Sequence, residues 1–165
     1  MITLKVLKWD NCFSYGKNNE IDLSKHVLTQ IIGENGSGKS SIPLILEEIL
    51  FGKNSKRIKK ADIANRYLDN GYSMYLNLEK DGNEYEISRI ATGKGSPKVK
   101  LLKNGEDISS HTATNTNKAI EEDILGMDFD TFQQIVHQNP NKTLVFLKAT
   151  DTNRIKFLVK LLNLE

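Results

Sequence analysis

A chain of 165 residues, 38% hydrophobic and 27% charged, has one domain's worth of core, and no stretch approaches the roughly 18 consecutive apolar residues of a membrane span. A net charge of +2 excludes nucleic-acid binding by bulk charge and leaves only local patches to consider. The single cysteine, Cys12, excludes an internal disulfide or a cysteine-based zinc site, suits a reducing cytoplasm, and reads as a small buried apolar group.

The chain begins with "ITLKVLKWD", whose alternation reads as a strand rather than a signal peptide. Strict alternation puts Ile2, Leu4, Val6 and Lys8 on one side and Leu7 and Trp9 on the other. "NEIDL" reads as a second strand, and "HVLTQII", residues 26–32, as a short β-branched buried strand. The next stretch, "GENGSGKSS", fits the pattern G-x-x-x-x-G-K-[ST] with Gly33, Gly38, Lys39 and Ser40 in its four defining places. After it, Ile42, Ile45, Leu46, Ile49 and Leu50 recur at helical spacing over residues 40–51, with Gly52 as the stop. Pro43 falls near the end of the first helical turn, where its missing N–H costs little but its ring can crowd the carbonyl of Lys39.

Residues 52–60, "GKNSKRIKK", form a basic loop, and 61–68 a short helical candidate. "YSMYLNLEKDGNEYEISRIA" reads as a hairpin turning at Asp81-Gly82, and "KVKLLKNGEDI" as a strand turning at Asn104-Gly105. Polar "SSHTATNTN" leads to a helix over "KAIEEDILGM" stopped by Gly126. "DFDTFQQIVHQ" then starts a helix with an aspartate cap, placed at Asp130, and "TDTNRIKFLVKLLNLE" a last one. Strands first and helices afterwards, without a βα rhythm or internal repeats, argue against a GTPase-like or kinase-like doubly wound domain.

The glycine-rich loop in its strand–loop–helix setting predicts a nucleoside-triphosphate site. Gly33, Gly36 and Gly38 allow positive φ and close backbone approach to a phosphate. Successive N–H groups then form an anion nest at a helix N-terminus. Lys39 offers a point charge to the β- and γ-phosphates, Ser40 a hydroxyl to Mg²⁺, and Asn35 and Ser37 are small and polar. The site is half complete, because no apolar strand ends in the acidic pair that would hold Mg²⁺ and activate water. "NLEKD" lies in a hairpin and "AIEEDIL" in a helix.

Several flanking pieces resemble one family. Trp9, Asn11, Phe13, Ser14, Tyr15, Gly16, Ile21, Asp22 and Leu23 precede the phosphate loop; "LFGK" at 50–53, "YEISR" at 85–89 and the terminal "RIKFLVKLLNL" follow it. In order and spacing they resemble the N-terminal ATPase lobe of the SbcC family, SMC-like ATPases that work with the SbcD nuclease on double-strand breaks. Some bacteriophages encode a version. The resemblance implies an α/β P-loop NTPase of ABC/SMC type, its antiparallel strands flanking the phosphate-loop helix. Residues 1–150 would form the lobe and 151–165 the root of a coiled coil. On its own spacing (Ile155, Leu158, Leu161, Leu162), that last run reads equally well as an ordinary amphipathic core helix.

The resemblance further implies ATP and Mg²⁺, a C-terminal lobe of the same polypeptide, a second head in a homodimer, and an SbcD-type nuclease. Double-stranded DNA would be held without sequence preference, in the bacterial cytoplasm or that of a phage host, with no membrane partner. Nucleotide contacts would come from Asn35, Gly36, Ser37, Gly38, Lys39, Ser40 and Ser41. Lys39 and Gln138 would be catalytic, and Ser40 and Gln138 would hold the metal. Gln138 precedes Asn139 where the family more often has glycine, and Gln133 and Gln134 are rivals inside a helix. Phe13 stands at or near a family arginine that reaches the nucleotide, so the contact is lost or taken by a residue such as Lys17. His111 and His137 read as structural.

Two basic patches could meet DNA backbone: Lys53, Lys56, Arg57, Lys59 and Lys60 in one loop, and Arg89, Lys94, Lys98, Lys100 and Lys103 around "ATGKGSP". A solvated charged face explains them equally well. Rival readings of the whole chain are a RecF-like or other SMC-type DNA ATPase, an ABC transporter cassette, and a nucleotide-binding scaffold without hydrolysis. Turnover stimulated by duplex DNA separates repair from transport, and tight binding without turnover marks the scaffold.

Overall fold

The computed structural model describes the chain apart from residues 69–70, 94, 138–147 and 162–165. Six strands form one wholly antiparallel sheet: β1 (Ile2–Asp10), β2 (Asn19–Asp22), β3 (Tyr72–Lys80), β4 (Asn83–Ala91), β5 (Lys98–Lys103) and β6 (Glu106–Asp107), in the order β2-β1-β3-β4-β5-β6. Period-two alternation buries Tyr72, Met74, Leu76 and Leu78 of β3 and Tyr85, Ile87, Arg89 and Ala91 of β4 on one face. Both predicted hairpin turns form. Asp81 and Gly82 have φ of 51° and 76°, and Asn104 and Gly105 50° and 83°. That double left-handed pair suits the right-handed twist of the strands.

Helices cover the apolar face. The phosphate-loop helix α1 (Ser41–Phe51) lays Ile45, Ile49, Leu50 and Phe51 into the core and stops at Gly52, φ 63°. Pro43 sits within its first turn, where its missing N–H would have had no helical partner. Ile120, Ile124 and Leu125 close the core from a π-helical turn (Ile120–Leu125) that continues α2 (Ala113–Ala119). Phe132 of α3 (Phe129–Ile135) stacks 5.0 Å from Phe51. No helix among the described residues is long and apolar enough to cross a membrane. Cys12 is fully buried, as its apolar reading requires.

Five details depart from the sequence reading. A bulge between Leu4 and Val6 shifts the β1 register, so Leu4 pairs with Leu78 and Leu7 with Leu76. Ile2 and Leu4 therefore join Leu7 and Trp9 against the core instead of opposing them. Residues 26–32 form no strand, and Val27, Leu28 and Ile32 are more than four-fifths exposed; a strand needs a neighbour for its backbone, and no described segment pairs with them. The helix expected over 61–68 is one 3₁₀ turn, Lys60–Asp62, followed by a bridge from Ala64 to Cys12. α2 starts inside the supposed polar linker because Thr112 caps it, accepting from the N–H of Asn115 at 3.2 Å. The cap of α3 is Asp128, not Asp130; it accepts from the N–H of Thr131 at 2.9 Å.

The last helix, α4 (Asp151–Leu161), leaves Ile155 61% and Leu158 41% exposed. These two side chains take no part in the core.

Candidate functional site

The phosphate loop leads from the unpaired stretch 26–32 into α1. Gly36 and Gly38 take φ of 87° and 90°, a region other residues enter only with strain. At Gly33 the constraint is closeness, since a Cβ there would stand 2.9 Å from Ser37 Oγ. The loop closes on itself: Ser37 N–H donates to Glu34 O at 3.2 Å, and Ser41 N–H to Gly38 O at 2.8 Å. The N–H groups of Asn35, Gly36, Gly38, Lys39 and Ser40 donate to nothing among the described residues. Lys39 Nζ donates to the carbonyls of Gly33 and Glu34, the latter at 2.5 Å. Its ammonium thus faces acceptors of the kind a phosphate oxygen can replace.

This donor set fits a polyphosphate. For Mg²⁺ the loop offers the Ser40 hydroxyl, which makes no capping bond. No metal-holding group of three His, Cys, Asp or Glu side chains occurs among the described residues. Ser40 fits as one ligand of a magnesium shell completed by phosphate oxygens and water. Gln138 lies outside the described residues. Of its rivals, Gln133 is buried and donates to Glu47 at 3.2 Å.

The turn after β1 supports the loop. Asn11 and Phe13 take φ of 54° and 55°, which brings Ser14 and Tyr15 against Gly38. A Cβ on Gly38 would stand 2.8 Å from Ser14 Oγ and 3.1 Å from Tyr15 Cζ. Tyr15 meets Trp9 edge-on at 5.2 Å, and its carbonyl accepts from Asn65 Nδ2 at 3.1 Å. Phe13 packs against the core, so no cation arises from the expected arginine position. Lys17 is exposed and bonds to nothing among the described residues.

The sequence reading missed two buried carboxylates on α1. Glu47 is fully buried and accepts from the N–H of Ser55 at 2.7 Å and from Gln133, with His137 Nδ1 2.6 Å from the same oxygen as Gln133. Glu48, 1% exposed, accepts from Asn54 Nδ2 at 2.9 Å and pairs with Lys60, which also reaches the carbonyl of Gly52. Arg89 Nε donates to the carbonyl of Ile49 at 2.9 Å. Burial pulls the Arg89 guanidinium down to about 10, a shift that Glu48 opposes. Two adjacent glutamates inside an otherwise apolar helix, "SIPLILEEILF", were the available signal.

The basic patches divide accordingly. Lys53, Lys56, Arg57 and Lys59 are exposed and form no ion pair among the described residues. Lys60 is turned inward onto Glu48, and Arg89, 1% exposed, belongs to the core rather than to a surface patch. Lys98 is exposed, Lys100 lies 3.5 Å from Asp107, and Lys103 lies 5.8 Å from the Tyr85 ring centroid. Lys94 is outside the described residues. His111 is exposed.

Comparison with known proteins agrees with this geometry. The AAA_23 family model, described as an AAA domain, matches residues 7–165. The chain is 47% identical over 165 residues to the "Probable exonuclease subunit 2" of Escherichia phage T5, covering 99% of this chain and 26% of that protein. It is 33% identical over 163 residues to the "DNA double-strand break repair Rad50 ATPase" of Methanocaldococcus jannaschii, covering 98% of this chain and 15% of that protein. A chain solved in work on the "ATP-driven dimerization and DNA stimulated activation of SMC ATPases" superposes with a TM-score of 0.66 at 22% identity, covering 96% of this chain and 99% of that one. The chain thus spans about a quarter or less of these curated relatives. It belongs to the AAA-domain family and has the fold of an ABC/SMC-type P-loop lobe, the N-terminal lobe of an SbcC-like ATPase.

Proposed function

We propose that this lobe binds ATP and Mg²⁺ and, completed by a C-terminal lobe and a second head, hydrolyses ATP to control DNA binding and a partner nuclease of the SbcD type. The observation that carries the reading is the set of five N–H groups on the phosphate loop that have no partner among the described residues, beside Lys39 and Ser40. Backbone donors from Asn35 to Ser40 would bind and orient the phosphates, and Ser41 would extend the site into α1. Lys39 would neutralise charge as the terminal phosphate is transferred to water. Ser40 would hold Mg²⁺, whose charge offsets that of the phosphate oxygens, and Gln138 is proposed as its second protein ligand.

The C-terminal lobe is the occupant proposed for the exposed stretch 26–32. Ile31 also lines an apolar cavity of about 210 Å³ with Leu7, Ile21, Ile42, Leu46 and Phe132. Most of a protein the length of the phage relative would lie outside this lobe. The exposed Ile155 and Leu158 suit the root of a coiled coil. DNA backbone is proposed to lie on Lys53, Lys56, Arg57 and Lys59, with Lys98 and Lys100 as a second group. A cytoplasmic setting follows from that role.

Nucleotide binding by the full-length protein, followed by the fluorescence of a labelled ATP, tests the reading. Lys39→Ala is expected to abolish binding at concentrations that saturate the parent; binding that is unchanged overturns the proposal.

A further inference from the structure

The turn after β1, residues 11–16, stands beside the phosphate loop although it forms no part of that loop's sequence pattern. Its backbone is pinned on several sides. Asn11 N–H donates to Gly16 O at 2.8 Å, Phe13 N–H to Ile63 O at 2.6 Å and Tyr15 N–H to Cys12 O at 2.9 Å. Asn65, itself buried, donates through its N–H to Asn11 O at 2.8 Å and through Nδ2 to Tyr15 O at 3.1 Å. These bonds hold Asn11 and Phe13 in left-handed backbone, which is unusual for a residue as bulky as phenylalanine. A turn that only reversed the chain would gain nothing from that strain. Between the pinned residues lies Ser14. Its side chain is exposed, and its hydroxyl has no partner among the described residues. Oγ lies against Gly38, 2.8 Å from where a Cβ would stand. The Gly38 N–H is one of the loop donors without a partner among the described residues. The neighbouring Tyr15 ring, by contrast, is engaged by Trp9.

We infer that Ser14 is a nucleotide-binding residue, its hydroxyl donating to an α- or β-phosphate oxygen held by the loop. The inference rests on the proposed function. A serine hydroxyl is an uncharged donor that rotates to suit its acceptor, and one carried on a pinned turn loses little freedom on binding. The backbone N–H groups of such a loop cradle the α- and β-phosphates, while its lysine reaches the β- and γ-phosphates. A hydroxyl beside Gly38 therefore meets phosphates that ADP retains. Phe13 packs against the core and offers no donor side chain on that flank, so the turn's contribution there falls to Ser14.

The experiment measures the affinity of the full-length protein for labelled ADP and for a labelled non-hydrolysable ATP analogue. A hydrogen bond to a charged oxygen is worth about tenfold or more in affinity, so Ser14→Ala is expected to weaken both ligands by about that factor. Ser14→Thr keeps the hydroxyl and is expected to bind close to the parent. Because Ser14 is exposed, thermal melts without nucleotide are expected to coincide for all three proteins. The same loss is expected when EDTA replaces Mg²⁺, since the contact is to phosphate rather than to metal. Unchanged affinity in Ser14→Ala, or Ser14→Thr as weak as Ser14→Ala, refutes the role and leaves the proposed function standing. A loss confined to the ATP analogue, or one that vanishes in EDTA, places the hydroxyl on the terminal phosphate or the metal and overturns the assignment. A parent that binds neither nucleotide removes the proposed function as well.

Discussion

Gly38 and Tyr15 are in contact: a Cβ on Gly38 would come within 3.1 Å of Tyr15 Cζ. The strand β1 and the phosphate loop are thus joined at a position where only glycine fits. Gly38→Ala would meet the ring, Ser14 Oγ and a φ of 90° together. The left-handed backbone alone costs about 1–2 kcal/mol, so thermal unfolding should move modestly while nucleotide binding is lost. Full nucleotide affinity in Gly38→Ala would show that the contact does not shape the site.

Removing Arg89 and removing Glu48 should not be equivalent. Arg89→Met takes away a buried cation and leaves Glu48 with Lys60 and Asn54. Glu48→Gln breaks the buried carboxylate's ion pair with Lys60 and withdraws the negative charge that favours the buried Arg89 cation, a loss of about 3–5 kcal/mol. Urea unfolding of both variants is expected to rank Glu48→Gln as clearly the less stable. Equal losses would mean that the glutamate does not offset the arginine.

On the surface, the basic loop predicts salt dependence rather than sequence preference. Each cation that neutralises a DNA phosphate contributes about 0.9 to the slope of log affinity against log salt. The double variant Lys56→Ala, Arg57→Ala should flatten that slope by about 1.8, and Arg89→Met should leave it unchanged because Arg89 is buried. A salt titration of duplex binding checks this. An unchanged slope in the double variant would move the DNA elsewhere.

Alkaline stability should depend on Cys12. Burial, with Asp10 nearby, pushes its thiol far above the ordinary value of 9.0. The contribution is complete below pH 9. Above it the unfolded thiol ionises while the folded one does not, so stability falls by about 1.4 kcal/mol per pH unit. Tyr72, raised chiefly by burial from an ordinary 10.0, adds the same trend at higher pH. The gap in unfolding free energy between the parent and Cys12→Ala, measured from pH 8 to 10, should shift by that slope above pH 9. A constant gap would mean that the thiol ionises as readily folded as unfolded.

The legible parts of the fold were those fixed by near neighbours. Asp81-Gly82 and Asn104-Gly105 declare their turns within two residues, and Gly33 to Ser40 declare a phosphate loop within eight. What stayed hidden depends on distant partners. The β1 bulge is visible only in its pairing with β3, and Thr112 caps a helix whose own residues, rich in Asn and Thr, have weak helical propensity. Residues 26–32 have the composition of a buried strand but, among the described residues, no strand beside them. Glu47 and Glu48 fall where helical periodicity expects solvent, and only the folded loop 53–60 and α3 supply their donors. Arg89 counted as a surface charge until its place in the alternation of β4 turned it inward.

The pairing of β1 with β3 also sets an order of events. The β3–β4 and β4–β5 hairpins close short loops, and their ladders form from neighbours in the chain. β1 leaves the ribosome before β3, so Ile2 must await Lys80 and Trp9 must await Met74. The intervening segment, which closes late, contains both the phosphate loop and α1. Non-local closures are slow, so a nascent lobe is expected to hold ordered hairpins before Tyr15 reaches Gly38, and to become able to take up nucleotide only at the final step of folding.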